Sequence, residues 1–162
     1  DIVYIYDCYA MRQETVPVHA SAINGRGKWI PVVWPMDGRQ ADKGSGKSLT
    51  EQYRKEGVNM LRDHFSNPSS NGMKEGSGGN SVEAGIMEIL TRMQTKRLKI
   101  FKNQSKLLEE LRMYHRKDGK IVPAHDDVIS AMRYCVMSLR KARIKNYQPM
   151  QFQTDSEFNV FK

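Results

Sequence analysis

Short apolar runs rich in β-branched and aromatic residues alternate along this chain with stretches of helical period, and that alternation narrows the possible folds most. Residues 2–9 and 29–34 read as strands, and 98–101 as a shorter third. Helices are predicted at 15–23, with Pro17 in the first turn, and at 48–64. In the latter, Ser48 and Glu51 have capping-box spacing and Gly57 is a weak point. Further helices fall at 82–94 behind Ser81, at 104–115 and at 126–142. Their predicted inward faces are Val82, Ile86, Ile89, Leu90 and Met93; then Leu107, Leu108 and Leu111; then Val128, Met132, Cys135, Val136 and Leu139. Residues 24–27 are a turn signal and 117–120 a hairpin signal, while 36–47 and 66–80 are polar, Gly-rich loops. The expected fold is α/β, a mixed β-sheet flanked by helices.

The 162 residues suit one domain, placed at 1–143, with 144–162 a flexible C-terminal tail without periodicity. Lys and Arg number 26 against 18 Asp and Glu, a net charge of +8 that favours a polyanionic partner, nucleic acid first. No apolar run is long enough to span a membrane, and no signal peptide is visible. Cys8 and Cys135 lie far apart in apolar contexts and read as buried free thiols of a reducing compartment. The chain opens inside an apolar run, as a fragment of something longer would.

Within this basic background, acids stand at places suited to metal chemistry. Asp37 follows the strand at 29–34, braced by Pro35 and Gly38, and Asp126 and Asp127 open the last helix. Acids on separate elements of a rigid sheet can converge on one pocket. Two divalent ions roughly 3.5–4 Å apart there would neutralise a phosphodiester and generate hydroxide. Each acid also has an ordinary structural reading. An Asp at a helix start caps it, and an Asp beside Gly turns the chain. Glu83, in the first turn of a helix, compensates a dipole or adds a third acid. Asp7 reads as a polar edge residue or as an acid facing the sheet end, and His125 as a surface neighbour or an acid/base.

Residues 41–48 look like a relaxed Walker A loop before a helix. The first position is Ala41 rather than Gly, the preceding strand ends too early, and no Walker B strand follows, so nucleotide hydrolysis fits poorly. The same loop could hold a DNA phosphate through Arg39, Lys43 and Lys47.

The stretches Trp34-Pro-Met-Asp37-Gly, Asn80-Ser-Val-Glu83-Ala-Gly, Tyr114-His-Arg-Lys-Asp-Gly-Lys-Ile-Val122 and His125-Asp-Asp-Val-Ile-Ser-Ala-Met-Arg-Tyr134 carry a family likeness. Residues 1–143 resemble the C-terminal nuclease domain of tailed-phage large terminase subunits, of the headful-packaging, podovirus type. The resemblance implies an RNase H/RuvC-like fold and a two-metal endonuclease, using Mg²⁺ or Mn²⁺, that cuts double-stranded DNA during genome packaging. It makes Asp37, Asp126, Asp127 and Glu83 the catalytic acids, with Asp37, Asp127 and Glu83 on the metals and Asp127 favoured over Asp126. It implies portal protein and terminase small subunit as partners and the host cytoplasm as location, with no structural role in the virion. The hairpin residues Arg116, Lys117 and Lys120 would contact or gate DNA, or form a solvated turn. The basic end of the last helix, 140–145, would touch phosphates or balance the helix dipole, and the tail would dock on the portal vertex. The family's first strand, with its Gly-Ile-Asp-like acid, and its ATPase domain have no counterpart here, so the domain is expected to be N-terminally incomplete. The competing expectation is a non-catalytic DNA- or partner-binding module with a structural acidic cluster.

Overall fold

A computed structural model of the chain describes residues 1–41, 46–68, 79, 81–122 and 124–143. The tail from 144 onward and most of the 66–80 loop lie outside the described residues. Strand β1 is Val3–Ile5 and β2 is Leu98–Ile100; they pair in parallel, Val3 opposite Leu98 and Ile5 opposite Ile100. The first strand is thus far shorter than the apolar run at 2–9. Within that run Val3, Ile5 and Cys8 pack on the core, while Tyr4 and Tyr6 stay exposed.

Helix α1, Val16–Arg26, carries Pro17 in its first turn and runs through most of the turn predicted at 24–27. It stops at Gly27, whose φ of 136° belongs to glycine and whose N–H bonds the Asn24 carbonyl. Residues 29–34 do not form the predicted strand. They make one parallel bridge, Val32 to Met60, joined by bonds from Val32 N to Asn59 O (2.8 Å) and from Leu61 N to Val32 O (2.9 Å). Trp34 anchors this segment: it is buried, and its Nε1 donates to the Leu61 carbonyl at 2.7 Å. The chain then turns through a 3-10 segment, Met36–Arg39.

Helix α2, Leu49–Lys55, has the predicted capping box in full, with the Ser48 side chain and Glu51 bonding reciprocally. It ends well before residue 64, because Gly57 takes a φ of 80° just past its last turn. Helix α3, Val82–Gln94, spans the predicted residues, but its buried stripe is Gly85 and Ile89, with Val82, Leu90 and Met93 exposed. Helix α4 is Ser105–Met113, and its fully buried side chains are Leu107 and, unexpectedly, Glu110.

Strands β3, Arg116–Lys117, and β4, Lys120–Ile121, form the predicted antiparallel hairpin. Asp118 and Gly119 both take positive φ, 51° and 75°, as a two-residue hairpin turn of this hand requires. Helix α5, Asp127–Met137, is followed by a 3-10 turn, Leu139–Lys141, rather than running on to 142. Its buried residues are Val128, Ile129, Met132, Arg133 and Val136. Cys135 is exposed and Cys8 half-buried, so the two free thiols are not both core residues.

The core joins Ile89 of α3, Leu98 of β2, Leu107 of α4 and the α5 residues Val128, Ile129, Met132 and Val136. Helix α5 is therefore the central support, covered by α3 and α4 with the β1–β2 pair alongside. Phe65 links the Trp34 segment to it, since its ring lies 4.5 Å from that of Tyr134, centroid to centroid.

Candidate functional site

The extended segment ending at Trp34 delivers Asp37 to the wall of a cleft of about 610 Å³. Gly38 makes that approach possible: a β-carbon there would come within 3.0 Å of the Trp34 ring, and its carbonyl accepts from the Thr50 hydroxyl at 2.8 Å. The Asp37 side of the cleft also carries Arg39, and the opposite wall carries Arg133 and Tyr134 of α5. Asp37 is exposed, and the backbone around it is held by bonds from Gly38 N to Pro35 O and from Gln40 N to Asp37 O.

Asp126 and Asp127 sit at the start of α5, as predicted, but capping that helix is not their task. Asp126 is the N-cap residue without a side-chain cap bond, and its Oδ2 lies 3.4 Å from the Ser130 hydroxyl. The cap comes from α4: Glu110 Oε2 accepts from Val128 N and Ile129 N at 2.8 and 3.0 Å. Asp127 is four-fifths exposed, stands 3.9 Å from Arg12, and lines a different cleft together with Asp7 and Glu110. In that second cleft each acid already has a partner. Arg26 hydrogen-bonds Asp7 and holds its carboxyl below the usual range, α5 N–H groups hold Glu110, and Arg12 faces Asp127.

Glu83 is paired with Arg116 of the hairpin, a contact that ties α3 to β3. Glu83, Asp126, Arg116 and Arg133 all act on the Tyr114 phenol. Burial pushes its pKa up, and the Asp126 and Glu83 charges raise it further while Arg133 and Arg116 oppose them. Four charged side chains thus act on one half-buried ring, with Arg133 common to this group and to the Asp37 cleft.

The expected convergence of Asp37 and Asp127 on one cradle is not what the structure displays. Asp37 shares its cleft with residues 133 and 134, six and seven positions along α5 from Asp127, which is roughly 9–10 Å of helix. Among the described residues, no three His, Cys, Asp or Glu side chains gather into a group that could hold a metal ion. Of the basic residues predicted to meet DNA, Arg39 lines the Asp37 cleft, and Arg116, Lys117 and Lys120 project from the hairpin, all exposed. Lys47 precedes α2, with its carbonyl accepting from Gln52 Nε2 at 3.4 Å; Lys43 lies outside the described residues. His125 is exposed, with a φ of 52°.

Reading the sequence did not single out Arg133, Tyr114 or Glu110. A signal existed for the first. Arg133 falls between Met132 and Val136 on the apolar face of α5, where a charge has to be buried.

A parallel strand pair packed against a central helix, with an acid and arginines in one cleft, defines an α/β domain with a basic cleft. Residues 1–139 match the model of the terminase RNaseH-like domain family, and the chain belongs to that family. It is 39% identical over 145 residues to the terminase large subunit of Salmonella phage P22, and 39% identical over 138 residues to that of Enterobacteria phage LP7. These alignments cover 89% and 85% of this chain but only 28% and 27% of the relatives, so the chain spans little more than a quarter of their length. In three dimensions it matches the P22 large terminase nuclease domain with a TM-score of 0.75 and 40% identity, over 88% of this chain and 70% of the other. The fold is RNase H-like, as expected from the resemblance. No helix among the described residues is long and apolar enough to cross a membrane.

Proposed function

We propose that this chain is the DNA-cleaving domain of a phage packaging terminase, a divalent-cation-dependent endonuclease acting on double-stranded DNA. The observation that carries the reading is the position of Asp37. It stands exposed on a cleft beside Arg39 and Arg133, in a chain whose fold matches a terminase nuclease domain at 40% identity. A basic cleft with one acid suits a phosphodiester: cations attract the backbone, and the carboxylate supplies a hard oxygen ligand for Mg²⁺ or Mn²⁺.

Among the described residues the acids do not close a set of three ligands. The proposal is that Asp37 contributes one ligand. Asp127, Asp126 and Glu83 are the acids to be tested beside it, with Arg39, Lys43, Lys47, Arg116, Lys117 and Lys120 as DNA contacts. Two ions, portal protein and small-subunit partners and a host-cytoplasmic location extend the same reading. Plasmid nicking in Mg²⁺ or Mn²⁺, lost on chelation and in Asp37→Ala or Asp127→Ala variants that keep their circular dichroism, is the expected result.

The separation of the acids favours one other reading, a module that binds DNA without cutting it. Duplex binding that is unaffected by divalent ions, with no nicking at any ion concentration, would select that alternative.

A further inference from the structure

We propose that Arg133 anchors phosphate in the Asp37 cleft, its guanidinium meeting the non-bridging oxygens of a DNA phosphodiester that enters there. The inference deepens the reading of the chain as a DNA-cleaving domain and rests on it.

Arg133 is only 4% exposed, yet its Nε and Nη1 are buried with no hydrogen-bond partner. Among the described residues no ion pair joins it to a carboxylate. A guanidinium stays protonated at every working pH, so this is a buried cation with unanswered donors, a strongly unfavourable arrangement. Partial compensation comes from two rings: its central carbon lies 4.5 Å from the Tyr134 centroid and 5.3 Å from that of Phe65. Ring faces attract the charge but accept no strong hydrogen bond from its edges.

The rest of the side chain is fixed as well. Its stem lies on Gly85 of α3, where an added β-carbon would come within 2.4 Å of Cγ and 2.6 Å of Cδ. Helix α3 thus lacks a side chain at the one point where the stem crosses it. Arg133 lines the cleft that holds Asp37 and Arg39. A planar guanidinium presents paired N–H groups to paired oxygens, the geometry of a phosphate contact. A turn of the guanidinium toward the cleft would let an incoming phosphodiester answer these donors beside Asp37. Arg133 would then set where a phosphate rests relative to that acid; it is a positioning residue rather than a metal ligand.

The test follows the Arg133 Nε–H resonance of the ¹⁵N-labelled 162-residue chain, assigned by its disappearance in Arg133→Lys. A short blunt duplex is titrated first, and inorganic phosphate in a separate arm. The expected result is a saturable shift with duplex that weakens as salt rises, and a smaller shift with inorganic phosphate. In parallel, Arg133→Gln should lower kcat/KM for plasmid nicking roughly 10- to 100-fold, and Arg133→Lys should restore only part of it, since an ammonium keeps the charge but not the fork. A resonance unmoved at saturating duplex overturns the proposal, as does a folded Arg133→Gln variant that cuts at the wild-type rate. If Arg133→Gln does not fold, the titration of the wild-type chain decides alone. The two readings fail separately. Nicking that survives Asp37→Ala while the Arg133 signal still responds to duplex removes the Asp37 reading and keeps the phosphate site. Nicking abolished by Asp37→Ala with an unresponsive Arg133 does the reverse.

Discussion

The Glu110 carboxylate lies under the first turn of α5, 2.8 Å from the Val128 N–H and 3.0 Å from that of Ile129. An acid from one helix thereby caps another and sets its negative charge against the positive end of that helix. Because α5 carries Asp126, Asp127, Arg133 and Tyr134, this contact orients most of the candidate site.

Removing it should cost much of the stability of the domain. Glu110→Ala leaves two buried N–H groups unanswered, and the expected loss is about 2–4 kcal/mol. Glu110→Gln keeps an acceptor but not the charge and should lose less. Urea unfolding of both variants checks the order, and equal stabilities for Ala and wild type would contradict it.

Gly85 should resist even a methyl group. A β-carbon there meets the middle of the Arg133 stem rather than its free end, so α3 and α5 have to separate or Arg133 has to leave its rotamer. Overpacking of this kind costs about 1–3 kcal/mol, against a helix-propensity gain for Ala of about 1 kcal/mol or less. Thermal melting of Gly85→Ala should therefore show net destabilisation. A higher melting point would mean that the α3–α5 approach is looser than described.

The Asp7–Arg26 pair gives a pH dependence of defined sign. The hydrogen bond from Arg26 lowers the Asp7 carboxyl below its ordinary value of 3.8. A depressed folded-state value means that the pair contributes above the unfolded value and that its contribution fades as pH falls below about 3.8 towards the folded one. Both side chains are more than a third exposed, so the effect is small, about 0.2–1 kcal/mol at most. Comparing Asp7→Asn with wild type by urea unfolding at pH 7 and at pH 2.5 should show a difference at the former that shrinks at the latter. A difference that grows in acid would reverse the assignment.

The hairpin makes a separable prediction about DNA. Lys117 and Lys120 face each other across β3 and β4, both exposed, so their like charges have no structural reason to be paired. The double reversal Lys117→Glu, Lys120→Glu should weaken duplex binding and flatten the salt dependence by roughly two counterions' worth of slope. Unchanged binding and cleavage would leave the hairpin as a solvated turn.

What the sequence disclosed depended on whether the deciding contact was local. The Ser48–Glu51 capping box, the Asp118–Gly119 hairpin turn and the span of α3 come from neighbours in the chain, and each is present. The strand expected at 29–34 reduces to one bridge because strand formation needs distant partners, and Val32 meets only Met60. Ile86 and Ile89 of the expected α3 face pack on the core, whereas Val82, Leu90 and Met93 are exposed and Gly85, which carries no hydrophobic signal, is where Arg133 crosses. For the site, Asp37, Asp126 and Asp127 were visible as acids at element ends. That Asp37 and Asp127 would face different clefts depends on how the Trp34 segment meets α5 through Phe65 and Tyr134, a packing relation that no local pattern encodes.

Ion-dependent cleavage rests on Asp37, and it is tested by supercoiled-plasmid cutting with wild type and Asp37→Ala across a titration of Mn²⁺ and Mg²⁺. The expected result is ion-dependent nicking and linearisation by wild type, and at least a 100-fold loss (roughly 3 kcal/mol of transition-state stabilisation) in a variant that binds duplex as before. Cleavage by Asp37→Ala at the wild-type rate would contradict it.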